Sequence, residues 1–275
     1  MRLNKNMFSL NIYKSYKSEL ANNSKAMNNV SSGVKLNKAK DNAGKIAQSE
    51  TLKIQIVSNE AAKRNIQDTN SMIQTFDSAM QEMNNSLSRM KELTVQAGNG
   101  VLSAGDKSAV QDELDQLISH IDYMSKNTDF NGVKLLDGTG GATPVKSIIG
   151  SLEGETVDIP NIDLTATALG ISGMDITNSA NVGTAITSVD KAIKMVSAAR
   201  SQYGAIQLGL EDSGDSVDAK NISLQKAQSN IADADMAEEM INFSKSQILI
   251  QSSIGLMAQS NNLPQDALRV LQNIR

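Results

Sequence analysis

The chain has no cysteine and no tryptophan, and its 275 residues include one histidine and three prolines. Without cysteine it cannot form disulfides, thiolate metal sites or a thiol nucleophile. A lone histidine, His120, excludes the paired-histidine zinc motif of peptidase helices. Aromatic residues make up only 3% of the chain, so its apolar content is mainly aliphatic. That composition is typical of long helices that pack along repeating seams.

Basic charge and long apolar runs are also scarce. The net charge is −4 and the sequence pI is about 5.2, which argues against nucleic acid because phosphate binding needs a concentrated basic surface. No uninterrupted apolar run reaches the ~18 residues that a membrane-spanning helix needs. Residues Met1 to Leu20 are polar and lack the apolar core of an ordinary secretory signal. We therefore expect no membrane span and no ordinary signal peptide.

The middle of the first half lacks helix breakers. No proline precedes Pro144, and no glycine lies between Gly44 and Gly98. Apolar residues recur there at alternating spacings of three and four, which is a heptad pattern. The pattern predicts one helix from about Lys45 to Ala97, roughly 80 Å long at ~1.5 Å per residue. The predicted inward positions are Ile66, Thr69, Ile73, Phe76, Met80, Met83, Leu87, Met90, Thr94 and Ala97.

Shorter heptad patterns flank this helix on both sides. Ser103 is a candidate N-cap, with Asp106 as the first-turn acid, for a second helix that should pack antiparallel to the long one. Helix is predicted again from about Thr184, and Pro264 is expected to break the final pattern or start a last turn. The predicted inward residues are Tyr13, Tyr16, Leu20, Asn23, Met27, Val30 and Val34 in the first segment, then Val110, Leu114, Leu117, Ile121 and Met124, and finally Ile186, Val189, Ile193, Val196, Arg200, Tyr203, Leu210, Val217, Leu224 and Ile231, with Ala227, Ala234, Ile241 and Ile248 on a companion line.

Residues 128–182 differ in character. The pairs Asn131-Gly132 and Asp137-Gly138 are tight-turn signals, and alternation in 156–159 and 161–164 suggests short strands. The predicted fold is therefore mainly α, with long antiparallel coiled-coil helices from both chain ends and a small β-hairpin-rich central segment. The outermost arms, 1–42 and 241–275, are amphipathic and lack a nearby core. We expect them to be disordered in the monomer and to fold on assembly.

Catalytic chemistry is hard to find in this sequence. The glycine-rich stretch 100–108 follows a helix rather than a strand and carries Asp106 where a phosphate would sit, so nucleotide binding is disfavoured. The acidic group at 233–239 could hold a hard cation, but a solvated or helix-terminal acidic face is the better interpretation. We expect no enzyme activity, no cofactor and no metal.

Several motifs resemble one family, the bacterial flagellins. They occur in the family's order and cover about 1–137 and 184–275, while the family's variable outer domains are missing. Asn230 departs from the family pattern, which usually has Arg there. The motifs are VSSGVKLNKAKDNAG (Val30 to Gly44), Arg64-Asn65, LSRMKELTVQAGNG (Leu87 to Gly100), FNGVKLL (Phe130 to Leu136), SNIADADMAEE (Ser229 to Glu239) and LPQ (Leu263 to Gln265).

The resemblance implies a structural subunit of the extracellular bacterial flagellum. It implies that the flagellar type III apparatus exports the chain unfolded, and that a secretion chaperone holds its C-terminal arm. The arms would form the inner tube of a self-assembled filament and a helical rod, 43–240, the outer tube, in contact with cap and junction proteins. The arm residues expected to carry assembly are Tyr13, Tyr16, Leu20, Met27, Val30, Ile241, Ile248, Leu256, Leu263, Leu268 and Leu271.

The resemblance also implies recognition by a host. In the family, the flagellin-sensing Toll-like receptor grips the helix that carries an R-x-R-E-L pattern. Here that pattern falls on Arg89, Glu92 and Leu93, with Lys91 replacing an arginine. Glu113 on the next helix falls at a further family contact. These positions are the predicted receptor contacts.

Two other functions stay open from the sequence. A flagellar hook–filament junction protein would share the helical termini. A non-flagellar coiled-coil signalling or adaptor protein would explain the heptads and would form a closed oligomer rather than an open filament. It would not explain a β segment flanked by amphipathic arms at both ends.

Overall fold

The computed structural model of the chain describes residues 6–138 and 143–272. Five helices and two strands occur in this part of the chain. In order they are α1 (Met7–Ser32), α2 (Ala43–Ala97), α3 (Ala104–Asn127), β1 (Val145–Ile148), β2 (Thr156–Ile159), α4 (Ser179–Ala232) and α5 (Met236–Gln272). The predicted mainly α fold with a small central β element is confirmed.

Helix α2 is continuous over 55 residues, as the missing prolines and glycines predict. All ten of its predicted inward residues are buried. The largest of them, among them Phe76, Met80 and Met83, belong to one core cluster with α3, α4 and the central segment. The heptad pattern therefore identified the core-facing side of α2 correctly.

Ion pairs fix the antiparallel register of α2 and α4 between residues 55 and 222. Lys63 Nζ lies 2.6 Å from Asp218 Oδ2 near one end of this stretch, and Lys91 Nζ lies 2.7 Å from an oxygen of Asp190 near the other. Between these two ion pairs the residue numbers rise along α2 and fall along α4, so the two helices run in opposite directions. Helix α4 begins at Ser179, five residues before the predicted start at Thr184, and it continues through its glycines to Ala232.

The central segment contains one antiparallel hairpin, with Val145 opposite Ile159 and Ile148 opposite Thr156. The predicted turn at Asn131-Gly132 is present, since both residues have positive φ, 52° and 81°. The stretch 161–164 does not form a strand. Its amides instead donate to the carbonyls of Leu135 and Leu136, and its apolar side chains turn toward the helical core.

The described chain forms two compact units. One comprises Met1–Ile54 with Ser223–Arg275, and the other comprises Gln55–Ile222. Helices α1 and α5 pack against each other in the first unit. The predicted division for assembly is into arms, 1–42 and 241–275, and a rod, 43–240, and it stays a prediction. The predicted disorder of the arms in the monomer also stays a prediction.

Candidate functional site

Polar side chains link the two terminal helices. Asn6 Nδ2 donates to the Ser260 carbonyl oxygen at 2.9 Å, near the start of α1. Near its end, Asn29 Nδ2 donates to Glu239 Oε1 at 2.9 Å. These contacts join the start of α1 to the later part of α5, so the helices are antiparallel. Because buried amides need their hydrogen bonds, these contacts also set the register.

The side of each helix that faces the other, here called the pairing face, follows heptad spacing and mixes polar or small residues with large apolar ones. Its members are buried or half-buried, and serine, asparagine and glutamate are prominent among them. The polar members limit the apolar area that the pair can bury, and so limit how strongly the pair is stabilised. The members are Ser9, Ile12, Tyr16, Glu19, Asn23, Ala26 and Val30 on α1, and Glu239, Phe243, Ser246, Ile250, Ser253, Met257 and Ser260 on α5.

Helix α5 continues past Pro264, where a break or a new turn was expected. Proline has no backbone N–H, so Pro264 cannot donate to the carbonyl of Ser260 one turn earlier. That carbonyl accepts from Asn6 Nδ2 instead. The long-range contact thus satisfies the acceptor that Pro264 leaves free, and the helix proceeds to Gln272.

Large apolar residues of α1 and α5 lie on the outside of the pair. We call this set the outer stripe. It includes Met27, which is 62% exposed, and Ile248, which is 63% exposed. Exposed large apolar side chains in this number indicate a surface that interacts with another molecule. The members are Met7, Phe8, Leu10, Tyr13, Leu20 and Met27 on α1, and Met236, Met240, Ile241, Ile248, Leu249, Ile254 and Leu256 on α5.

The predicted arm residues divide between these two surfaces. Tyr16 and Val30 are half-buried on the pairing face. The inward orientation predicted for five of the other described members, all but Leu256, was wrong, and the role of all of them in assembly stays a prediction. These other members are exposed and belong to the outer stripe. They are Tyr13, Leu20, Met27, Ile241, Ile248 and Leu256. The side chains of Leu263, Leu268 and Leu271 lie outside the described residues.

A backbone crossing joins the end of α1 to the start of α5. Gly33 caps α1 in the left-handed conformation, with φ 72°. Val34 then forms an antiparallel bridge with Asp233. Lys35 Nζ donates to the Asn230 carbonyl at 2.8 Å. Position 230 is where the family usually has an arginine. Here the backbone carbonyl of Asn230 accepts a hydrogen bond from the Lys35 side chain.

The acidic group at 233–239 is explained by helix capping. Asp235 Oδ1 accepts from the amides of Ala237 and Glu238 at the start of α5. Glu239 accepts from Asn29. Within residues 6–138 and 143–272, no three histidine or acidic side chains are grouped so that they could hold a metal ion. The helix-terminal interpretation of this acidic group therefore fits its geometry.

An exposed ion-pair network lies on α2 and α3. Arg89 Nε donates to Glu113 Oε1 at 2.9 Å, and Arg89 Nη1 donates to Glu92 Oε2 at 3.0 Å. The bond to Glu113, supported by that to Glu92, raises the pKa of the Arg89 guanidinium above its ordinary value. Close by, Lys91 pairs with Asp190 of α4. The structure thus places three of the four predicted receptor contacts together on one exposed surface.

Leu93, the fourth predicted contact, lies beneath that surface. Its side chain is 1% exposed and belongs to the core cluster. It follows the buried Met90 by three residues, so both project from the same side of α2. In this structure Leu93 supports the exposed network from inside and is not itself available to a partner.

Two family models match the sequence of the chain, one toward each end. The bacterial flagellin N-terminal helical region matches residues 3–140, and the C-terminal helical region matches residues 186–271. The chain is 38% identical to a flagellin of Halalkalibacterium halodurans, over 99% of this chain and all of that one. A flagellin of Bacillus subtilis is 37% identical over the same shares.

The chain belongs to the bacterial flagellin family. It is a flagellar filament subunit. The outer stripe of this flagellin exposes apolar side chains that another molecule could cover. The crystal structure of Bacillus cereus flagellin is similar, with a TM-score of 0.52 and 29% identity, and the similarity covers 56% of this chain and 88% of that one.

The hook–filament junction alternative shares the fold. A flagellar hook-associated protein of Vibrio parahaemolyticus matches with a TM-score of 0.58 over 70% of this flagellin and all of that chain, but at only 17% identity. That likeness shows a common fold alone. The full-length identities to filament flagellins favour the filament subunit.

No helix in the described part of the chain has the length and apolarity to cross a membrane.

The sequence prediction missed most of the pairing face. Ile12, Glu19 and Ala26 lie one residue before the predicted positions Tyr13, Leu20 and Met27. A second heptad line with this offset was visible in the sequence. It was less apolar, however, and apolar strength favoured the other line. The usual rule fails in part here, because Tyr13, Leu20 and Met27 are exposed although the residues just before them face the partner helix.

Proposed function

We propose that the outer stripe is the surface through which copies of this flagellin assemble. The arms, 1–42 and 241–275, would form the inner tube of the filament, and residues 43–240 the outer tube. One observation carries the proposal: the two terminal helices pair through a face that mixes polar and apolar residues, and they leave many large apolar residues exposed. Neighbouring copies would cover those residues.

Energetics favour this assignment. Full burial of one large aliphatic side chain contributes about 1.5–3 kcal/mol. The outer stripe has more such side chains than the pairing face has. A helix that lies on a membrane usually carries many lysines and arginines on its polar face, whereas the C-terminal arm has only Lys245, Arg269 and Arg275. A second copy of the chain is therefore the better partner for this surface.

Export and protection of the monomer follow from the same surface. An exposed stripe of this kind favours premature association inside the cell. We propose that the flagellar type III apparatus exports the chain unfolded to the cell exterior, that a secretion chaperone covers the C-terminal arm, and that cap and junction proteins contact the assembled ends. The absence of cysteine fits a chain that must stay free of bridges during export.

The assembly proposal is tested by seeding purified protein with filament fragments and imaging the products by electron microscopy. The intact chain should form tubes, and a chain lacking 241–275 should not. A sharper test is Ile248→Ser, which removes one exposed apolar side chain. Loss of about 1.5 kcal/mol or more per subunit should raise the concentration needed for elongation at least about tenfold.

Gln251→Ser is the matched control, because Gln251 is polar, exposed and on the same helix. It introduces the same residue without removing an apolar contact and should assemble like the parent. Equal elongation by the Ile248→Ser and Gln251→Ser variants would contradict the assembly role of the outer stripe. Small closed oligomers from the intact chain would favour the coiled-coil adaptor instead.

A second proposal concerns host sensing. The exposed network of Arg89, Glu92 and Glu113 presents a planar cation between two carboxylates on adjacent helices. Arginine at such a site is a common anchor in protein interfaces. We propose that the flagellin-sensing Toll-like receptor binds this network. Leu93 would act by supporting the helix, since its side chain is buried.

Arg89→Ala should weaken receptor signalling by the soluble monomer about tenfold or more, because the loss of one partner of a charge pair at an interface commonly costs ~2 kcal/mol or more. Lys126→Ala is the control, since it removes a different exposed ion pair, with Asp122, on α3. Circular dichroism checks that both variants stay folded. Full signalling by the Arg89→Ala variant would refute this assignment.

A further inference from the structure

Two asparagine–glycine pairs occur in the chain, Asn99-Gly100 and Asn131-Gly132. In such a pair the glycine backbone nitrogen can attack the asparagine carboxamide carbon, because glycine has no side chain to hinder the approach. The reaction needs a flexible backbone and a glycine N–H that is not held elsewhere. The two pairs have the same chemistry but different structural surroundings.

The pair Asn131-Gly132 is held in a tight turn. Phe130 and Val133 exchange two backbone hydrogen bonds of 3.0 Å across it. Both central residues have positive φ, as the hairpin turn requires. The Gly132 N–H donates to Asp129 Oδ2 at 3.0 Å. The attacking nitrogen is therefore engaged, and the backbone cannot rotate without breaking the turn.

The pair Asn99-Gly100 lies in the exposed loop between α2 and α3. Within the described parts of the chain, the Gly100 N–H donates no hydrogen bond. Asn99 Oδ1 accepts from the Val101 N–H at 3.2 Å, so the Asn99 side chain forms an Asx turn that spans Gly100. That bond also polarises the carboxamide carbonyl. Val101, at 88% exposure, shows how open this loop is to water.

We propose that Asn99 is a site of spontaneous deamidation and isoaspartate formation, whereas Asn131 is protected. The Gly100 nitrogen loses its proton to hydroxide and forms a bond to Asn99 Cγ. The Cγ–Nδ2 bond of Asn99 then breaks, and its carboxamide nitrogen, Nδ2, takes up a proton and leaves as ammonia. Water opens the resulting five-membered succinimide at either carbonyl to give aspartate or isoaspartate. Water and hydroxide are the only co-reactants.

The product changes the loop in two ways. Each event adds one negative charge to a chain whose formal net charge is −4. Isoaspartate also inserts a methylene into the backbone between α2 and α3. The new carboxylate lies a few residues before the N-terminus of α3, where the helix dipole favours negative charge. The modified chain should therefore stay folded, and the altered loop would accumulate with age.

The test is incubation of the folded full-length protein at mildly alkaline pH, followed by peptide mass spectrometry that separates asparagine, aspartate and isoaspartate. Asn99 should react at least about tenfold faster than Asn131. A factor of ten requires only ~1.4 kcal/mol of free energy to open the protected turn. In denaturant the two sites should react at similar rates, since the structural difference is then removed.

Two variants sharpen the comparison. Gly100→Ala adds a methyl group that meets no atom within 4 Å, and Gly100 does not have positive φ, so the fold should be kept. The methyl group hinders the attack, and deamidation of Asn99 should slow at least about tenfold, which is a barrier increase of ~1.4 kcal/mol. Asp129→Ala removes the acceptor of the Gly132 N–H and should speed the reaction of Asn131. Equal rates at the two sites in the folded protein, or a faster Asn131, would overturn the proposal.

Discussion

Tyr203 illustrates how single residues of this flagellin are specified by their surroundings. Its ring is fully buried in the α4 side of the core. Its hydroxyl donates to the Pro160 carbonyl at 2.9 Å. Burial disfavours the phenolate, so the pKa of Tyr203 is raised above its ordinary value of 10.0. One hydroxyl thus ties the irregular segment after β2 to the long helix.

A stability change at alkaline pH is expected from this residue. In the unfolded chain Tyr203 ionises near its ordinary pKa, whereas in the folded chain it keeps its proton to higher pH. The folded state therefore binds more protons above about pH 10, and its stability falls as pH rises beyond that point. Below that pH the contribution is fully present. Urea unfolding at a series of pH values measures the effect.

Tyr203→Phe isolates this contribution. At neutral pH the variant should lose about 1 kcal/mol, because the Pro160 carbonyl loses its hydrogen bond. Its stability should also fall less steeply above about pH 10 than that of the parent. Tyr123→Phe is the control, since Tyr123 is 66% exposed and should leave both properties unchanged. Parallel pH curves for the parent and the Tyr203→Phe variant would contradict the prediction.

At the scale of elements, α3 shows how local sequence starts a helix. Ser103 Oγ accepts from the Asp106 N–H at 3.2 Å, and Asp106 Oδ2 accepts from the Ser103 N–H at 3.2 Å. This reciprocal arrangement is a capping box, here with aspartate in place of the more common glutamate. It satisfies backbone donors that the first turn of the helix leaves free.

Ser103→Ala should destabilise the protein by about 0.5–2 kcal/mol, since the variant loses the side-chain acceptor of the cap. The comparison variant is Ser119→Ala, in the exposed interior of the same helix, where the serine hydroxyl bonds only to the Asp115 carbonyl. Alanine favours the helix there, so this change should be neutral or slightly stabilising. Thermal unfolding followed by circular dichroism compares the two variants. An equal effect of both changes would show that the cap does not stabilise α3.

At the scale of the whole molecule, the two compact units differ in how they are stabilised. The Gln55–Ile222 unit has a dense core from α2, α3, α4 and the central segment. The unit formed by the chain ends has a mixture of polar, small and apolar residues between α1 and α5. Since isolated helices are marginal in water, the ends should depend on neighbouring copies for their stability.

Hydrogen exchange of the monomer and the filament tests this dependence. Amides of residues 10–35 should exchange quickly in the monomer, where the outer stripe is uncovered, and slowly in the filament. Amides of residues 66–97 should be protected in both forms, because their side chains face the dense core. Strong protection of residues 10–35 in the monomer would show that the arm pair is stable without assembly.

Much of the fold could be predicted from the sequence because its signals are local. The missing helix breakers and the heptad spacing predicted α2 almost to the residue, and Ser103 with Asp106 marked the start of α3. The turn at Asn131-Gly132 was also predicted, because only small or flexible residues adopt its backbone conformation readily. These features depend on steric limits and periodicity within a few residues.

The tertiary structure decided what depends on distant parts of the chain. Pro264 lies inside a helix because the amide of Asn6 satisfies the freed carbonyl of Ser260. Leu93 is buried although Arg89 and Glu92 of the same pattern are exposed. The sequence also contains two heptad lines on each arm, and periodicity alone could not show which line faces inward. Packing turned residues of both lines toward the partner helix and left Tyr13, Leu20 and Met27 exposed, because hydrogen bonds between the arms set their register.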